Sequence, residues 1–185
     1  MLAINFSPFP TITTERLLLR RLSLDDTERM HFLRTDENVL RFVNRDPDAD
    51  MQATKEKIEW LLRLTEENEA ISWAITLKDE PGKMIGNIGY WNIQKENFRA
   101  ETGYVLHPDH WKKGIMKEAL NAILPYAFNT MKLHSIEANI NPENIASAAV
   151  LESCGFVKEA YHRENFYHKG IFYDTVIYSR LNDVG

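Results

Sequence analysis

The stretch Glu101-Thr-Gly-Tyr-Val-Leu-His-Pro-Asp-His-Trp-Lys-Lys-Gly-Ile-Met-Lys-Glu-Ala-Leu120 concentrates groups able to do chemistry. A carboxylate sits at the start of a strand-like segment. Two lysines and a glycine follow in a short polar loop, and a helical run begins at once. A helix starting there offers unpaired N–H groups and the positive end of its dipole. Gly114 lets backbone approach a ligand closely, and Lys112 and Lys113 add charge. Together these form a phosphate cradle without a Walker sequence. The plain alternative is a solvated lysine pair at an ordinary helix start. A second stretch, Asn141-Pro-Glu-Asn-Ile-Ala-Ser-Ala-Ala-Val-Leu-Glu-Ser-Cys-Gly-Phe156, puts Asn144 and Ser147 three apart on one helical face. Asn144 as a helix cap, with Ser147 incidental, would explain that spacing equally.

Other chemistries are excluded by their missing signatures. The sequence holds no G-x-G-x-x-G, no G-x-x-x-x-G-K-[ST] and no G-x-S-x-G. His107 and His110 are three apart but lack the further ligands of a zinc site, so no metal is expected. Cys154 is the single cysteine, which rules out an internal disulfide. It follows a helix, where the dipole opposes a thiolate, and reads as a packed small hydrophobe rather than an acyl-carrying nucleophile. The 185 residues carry a net charge of −5, which argues against a broad nucleic-acid surface. No apolar run reaches membrane-spanning length and no signal peptide opens the chain, so a cytoplasmic protein is expected.

The positioning elements follow from period and punctuation. Arg16–Arg21 reads as a buried strand, and Ser23-x-x-Asp26 opens a helix carrying Met30, Phe32 and Leu33. A second helix spans about Gln52 to Glu69. Strands follow at Ile71–Leu77, Met84–Trp91 and Ala100–Leu106, with a turn at Asp79–Gly82, as an antiparallel meander. A long helix from about Ile115 to Met131 should kink at Pro125. A strand at Ser135–Ile140, a helix at Asn144–Cys154 closed by Gly155, and strands at Phe156–Tyr167 and Ile171–Ser179 complete the order. Ala146, Ala149 and Val150 read as the apolar side of the last helix. The fold class is α+β (mixed α/β): one domain over residues 1–185, with its core at about 13–181.

In this order, Gly-Tyr-x-Leu-x-Pro-x-x-Trp-x-Lys-Gly-Ile-Met-x-Glu-Ala, then Asn-x-x-Asn-x-x-Ser, then Gly-Phe, resembles the GNAT superfamily of acetyl-CoA-dependent N-acetyltransferases. Thr14-Glu-Arg-Leu-x-Leu-Arg20 and Gly170-x-x-x-Asp174-x-x-x-Tyr178-Ser are similar to its Rim-type branch, the ribosomal-protein N-terminal acetyltransferases. The resemblance implies a mostly antiparallel twisted sheet of about seven strands flanked by about four helices. It implies acetyl-CoA as co-substrate, with the diphosphate on the backbone of Trp111, Lys112, Lys113, Gly114, Ile115 and Met116. The pantetheine arm would pair along Tyr104, Val105 and Leu106, and Asn144 would contact the same molecule. Glu101 falls where the branch carries its general base, and Ser147 where a hydroxyl acts as acid to the leaving thiolate. The position of Lys112 is usually glycine in the family.

The chemistry fits these roles. An amine attacks only as the free base, and an α-amino group has a pKa of about 7.7–8.0, so a carboxylate base helps at neutral pH. An ordinary ion pair between Glu101 and Arg99 is the competing reading. A backbone N–H near Val105 or Leu106 is the candidate donor to the thioester oxygen. Phe42, Trp60, Trp91, Tyr161, Phe166 and Tyr167 are candidates to line the acceptor site. The expected acceptor is an amine: a protein N-terminus, or alternatively a polyamine, aminoglycoside or amino acid. A non-catalytic acyl-CoA-binding module is a further alternative, and the oligomeric state stays open between monomer and homodimer.

Overall fold

The computed structural model describes residues 2–182. Eight strands form one sheet: β1 (Ile12–Thr13), β2 (Leu17–Arg21), β3 (Ile71–Leu77), β4 (Glu80–Gln94), β5 (Arg99–Leu106), β6 (Ser135–Ile140), β7 (Val157–His168) and β8 (Ile171–Leu181). Their spatial order is β1-β2-β3-β4-β5-β6-β8-β7. Every neighbouring pair is antiparallel except β5–β6. Five α-helices occur among the described residues: α1 (Thr27–Thr35), α2 (Glu37–Leu40), α3 (Met51–Glu66), α4 (Ile115–Pro125) and α5 (Ile145–Ser153).

The departures from the expected layout have local causes. The eighth strand and the fifth helix are β1 and α2, two and four residues long, too short to show a period. Asp36 caps α2 by accepting from the N–H groups of Asn38 and Val39. Helix α3 stops at Glu66 rather than Glu69, and Asn68 then takes a left-handed conformation. The chain reverses at Lys78–Asp79, so Pro81 and Gly82 lie inside β4 at its exposed end, where a missing donor costs little. Pro125 ends α4 without a simple kink. The next turn, Tyr126–Thr130, widens to a π-helix in which Met131 N–H reaches Tyr126 C=O at 3.0 Å.

The sheet buries both faces. On one, α4, α5 and the N-terminal segment cover Leu17, Leu19, Ile71, Trp73, Ile75, Ile88, Tyr90 and Ala100. On the other, α1 and α3 cover Leu22, Ala74, Met84 and, at the margin, Val105. Strand alternation assigns each residue of β5 to a side: Ala100, Thr102, Tyr104 and Leu106 look toward α4 and α5, whereas Glu101, Gly103 and Val105 look toward α1 and α3. Helix α5 corrects one expectation. It buries Ser147 and Leu151, with Cys154 buried just past its end, and leaves Ala146 and Ala149 exposed, whereas Val150 packs partly buried against the core. A polar residue thus stands on the buried face.

Trp73 sits at the middle of the first layer, edge-on to Phe9, Tyr90 and Tyr126 at 5.7–6.1 Å between ring centroids. Its indole N–H reaches Pro10 C=O at 2.6 Å. The Tyr90 hydroxyl is buried and has no hydrogen-bond partner among the described residues. An orphaned polar atom costs folding free energy that its removal recovers. Tyr90→Phe should therefore stabilise the fold by about 1 kcal/mol, raising the melting temperature by about 2–4 °C. A lowered melting temperature would contradict this.

Candidate functional site

The site begins where two neighbouring strands part. β5 and β6 run parallel and pair at Arg99↔Ser135, Ala100↔Ile136 and Glu101↔Glu137. Beyond that, β5 stays with β4 as far as Leu106, and β6 stays with β8 as far as Ile140. The His107 N–H donates to Ile85 C=O at 2.8 Å, which fixes the alternation along β5. Gly103 and Val105 turn their backbone groups toward β4, while Tyr104 and Leu106 turn theirs to the vacated edge. The Leu106 C=O is taken by the Trp111 indole N–H at 2.7 Å. The Leu106 N–H and both backbone groups of Tyr104 are left facing the gap.

A cleft of about 400 Å³ occupies this gap. Its walls include Thr102, Gly103, Tyr104 and Val105 of β5, Ala138, Asn139 and Ile140 of β6, and Asn144, Ser147 and Leu151 of α5. Phe42, Val43 and Asn44 close it on one side, and Phe166, Asp174 and Thr175 of the β7–β8 hairpin on another. Of the six aromatic candidates, Phe42, Trp91 and Phe166 line the cleft, whereas Trp60, Tyr161 and Tyr167 do not. The Trp91 indole lies over Gly103, where a Cβ would collide with it, so the glycine makes room for an aromatic wall. The chain just after the Phe42–Asn44 segment is tied down on two sides. Asp48 accepts from Arg34 at 2.5 Å and Thr54 at 2.7 Å, and Asp46 pairs with Lys169 at the hairpin turn.

The two candidate catalytic residues fall on opposite faces of the sheet. Ser147 comes from the α5 side: its backbone N–H is capped by Asn144 Oδ1 at 3.0 Å, and its Oγ lies 2.9 Å from the Tyr104 hydroxyl. Burial, partly opposed by the Ser147 hydrogen bond, pushes the Tyr104 phenol up to about 12. The phenol therefore keeps its proton at neutral pH. This contact was invisible in the sequence, where Tyr104 figured only through its backbone. Glu101 faces the α1–α3 side, between Trp91 and Glu137 on the neighbouring strands. Its side chain is partly exposed, makes no hydrogen bond or ion pair among the described residues, and lies outside the cleft's lining. Arg99 does not pair with it; that guanidinium is bound to Glu137.

The loop after β5 leads into α4. The Trp111 N–H is spent on Pro108 C=O at 3.0 Å, which sets it apart from the residues that follow. No acceptor among the described residues takes the N–H of Lys112, Lys113, Gly114, Ile115 or Met116, and the first helical bond runs from Glu118 N–H to Gly114 C=O at 3.0 Å. Lys112 and Gly114 both have left-handed backbones, with φ of 59° and 74°. Lys112 thus adopts the conformation a glycine would take there, at a cost of about 1–2 kcal/mol.

A ring of polar contacts fixes this loop. Glu118 accepts from Thr14 Oγ1 at 2.5 Å, Arg16 N–H at 3.0 Å and Arg16 Nε at 2.7 Å, while Arg16 Nη1 donates to Lys113 C=O at 2.9 Å. The Thr14-Glu-Arg motif and the Glu118 of the helix are therefore two halves of one brace. Cys154 is buried against Lys117, and burial pushes its thiol up, away from thiolate formation. No group of three or more His, Cys, Asp or Glu side chains among the described residues is placed to hold a metal.

An unpaired strand edge that runs into an uncapped helix start suits an extended ligand with amides along its length and phosphates at one end. That is the arrangement of a transferase using a coenzyme A thioester. The profile of the "Acetyltransferase (GNAT) domain" matches residues 16–157, and the chain belongs to this family. It is an N-acetyltransferase of the GNAT family. It is 35% identical over 171 residues to the uncharacterized N-acetyltransferase p20 of Bacillus licheniformis, covering 92% of this chain and 96% of that protein. It is 25% identical to the spermidine N(1)-acetyltransferase of Vibrio cholerae, covering 86% and 90%. The ribosomal-protein-S5-alanine acetyltransferase of Vibrio fischeri superposes with a TM-score of 0.84 at 28% identity, covering 95% and 98%.

Burial raises the Glu118 carboxyl, but the bonds from Thr14 and Arg16 outweigh it and hold it below the usual carboxylate range. Because the folded-state value is depressed, this stabilisation is complete above the ordinary glutamate pKa and is lost as pH falls through the lowered value. Glu118→Gln should cost about 1–3 kcal/mol near neutral pH. Melting curves for both proteins should converge as the pH falls below the depressed value of the Glu118 carboxyl; a gap independent of pH would refute the brace.

Proposed function

We propose that this protein acetylates a primary amine, of the kind presented by a protein N-terminus, by direct transfer while both substrates are bound. The observation that carries this is the cleft that opens where β5 parts from β6, with Ser147 in its lining and Glu101 at the last paired position beside it. Acetyl-CoA supplies an activated acetyl group as a thioester. The Tyr104 and Leu106 backbone edge suits a β-like pairing with the pantetheine amides, and Lys112 to Met116 suit the diphosphate. The Leu106 N–H, rather than that of Val105, faces the gap and is the donor for negative charge growing on the acyl oxygen.

Glu101 has no competing cation, so its carboxylate is free to take the amine's proton, directly or through one water. Ser147, backed by the protonated Tyr104 hydroxyl, gives a proton to the departing thiolate. Free coenzyme A thiolate has a thiol-like pKa near 8.5, so this acid helps departure without controlling it. The buried, high-pKa Cys154 supports a route with no acyl-enzyme.

The similarity to a spermidine acetyltransferase favours a small polyamine as the second reading of the acceptor.

Glu101→Gln should retain coenzyme A binding by calorimetry and lower turnover by about 10²–10⁴-fold. Ser147→Ala should cost less, and its loss should shrink as the pH is raised. Unchanged turnover in Glu101→Gln would remove the base from this assignment; a wild-type protein that fails to bind coenzyme A would remove the assignment itself.

A further inference from the structure

Among the described residues, the side chains lining the cleft are apolar or neutral polar with one exception: Asp174 alone carries a formal charge. Its carboxylate is already oriented. The Tyr161 hydroxyl donates to Oδ2, and the Glu164 N–H donates to Oδ1 at 2.7 Å from a bulge in which Glu164 is left-handed. A carboxylate has about four acceptor sites, so two remain for a ligand. The Tyr161 bond and the Glu164 amide hold the Asp174 carboxyl below the usual carboxylate range, and Arg163 acts in the same direction. Asp174 is therefore suited to hold a cation and ill suited to remove its proton, the opposite of what the unpartnered Glu101 offers.

An acceptor amine reaches the enzyme as an ammonium ion, since its pKa lies near or above neutrality. We infer that the acceptor is a primary amine with no carboxylate beside the reacting nitrogen, and that Asp174 is the residue that anchors its ammonium in the cleft. This rests on the acetyl-transfer reading above and narrows its substrate. A free amino acid would carry its own carboxylate into the same space. There it would meet no cation among the lining residues and would lie close to Asp174. Placing an unpaired anion beside a like charge is unfavourable. An amide or peptide in place of that carboxylate removes the conflict. It also finds neutral partners in Asn44, Asn139 and Thr175. Phe42, Trp91 and Phe166 supply apolar walls for the group next to the amine.

The test compares phenylalanine amide with free phenylalanine as acceptors for the full chain with saturating acetyl-CoA, followed by thiol release and mass detection of the product. The amide should be preferred by 100-fold or more in kcat/KM, on the order of two tenfold steps of binding. Asp174→Asn should raise KM for the amide about tenfold or more, with kcat and coenzyme A affinity little changed. It should also abolish the rise of KM with ionic strength seen in the parent. Asp174→Glu should restore part of that salt dependence. Tyr161→Phe, which removes one donor that orients the carboxylate but keeps its charge, should raise KM by less than Asp174→Asn does and keep the salt dependence. Equal use of the two acceptors would overturn the inference, as would an unaltered KM in Asp174→Asn. So would rejection of both acceptors by a protein that binds coenzyme A. Absence of coenzyme A binding would instead strike at the transferase reading beneath it.

Discussion

The parting of β5 from β6 is the constraint on which the rest of the structure depends. A strand edge in the middle of a sheet leaves N–H and C=O groups without partners, and such groups are costly unless something pairs with them. Here β4 holds β5 and β8 holds β6, so neither strand can swing across to satisfy the other. The gap is therefore stable. It is lined by main chain with a fixed alternation, which makes it a preformed template for an extended amide-bearing ligand. The helices follow from the same geometry, because α4 and α5 must cover the face on which Tyr104 and Ser147 meet, and α1 and α3 the face that carries Glu101.

Distant segments of the chain hold the ends of this gap in place. The Thr14, Arg16 and Glu118 brace ties the first strand turn to the start of α4, so that the loop's unpaired N–H groups keep one orientation. At the other end, Asp46 and Asp48 fasten the Phe42–Asn44 segment to the hairpin and to α1 and α3. Charge is sorted accordingly. The lysines gather at the helix start, and the lining of the cleft keeps a single carboxylate. An overall charge of −5 conceals both facts, since it is a sum over surfaces that never face one another.

Much of this was legible in order along the chain. The strand periods, the long helices, the cap at Asn144 and the left-handed Gly155 all depend on neighbours within a few residues, which sequence displays directly. Elements too short to hold a period, β1 and α2, were not. The π-turn after Pro125 was foreseen only as a disturbance, because a missing N–H says that the ladder breaks and not how the chain repairs it. Helix α5 was misread where an alanine-rich face looked apolar, since burial there is set by which side meets β5 and β8.

The sequence by itself pointed to the family through the order of its motifs, and through that resemblance to Glu101, Ser147 and the β5-loop-α4 segment as candidates, because motif order rests on residue type and short spacing. Only the tertiary structure decided where they lie and what they touch. It put the two on opposite faces of one sheet, joined the Tyr104 hydroxyl to Ser147 across 43 positions of chain, gave Arg99 to Glu137 instead of Glu101, and left Asp174 as the one charge in the cleft. These outcomes depend on strand order and on where two strands cease to pair, and both are settled by packing between segments far apart in the chain.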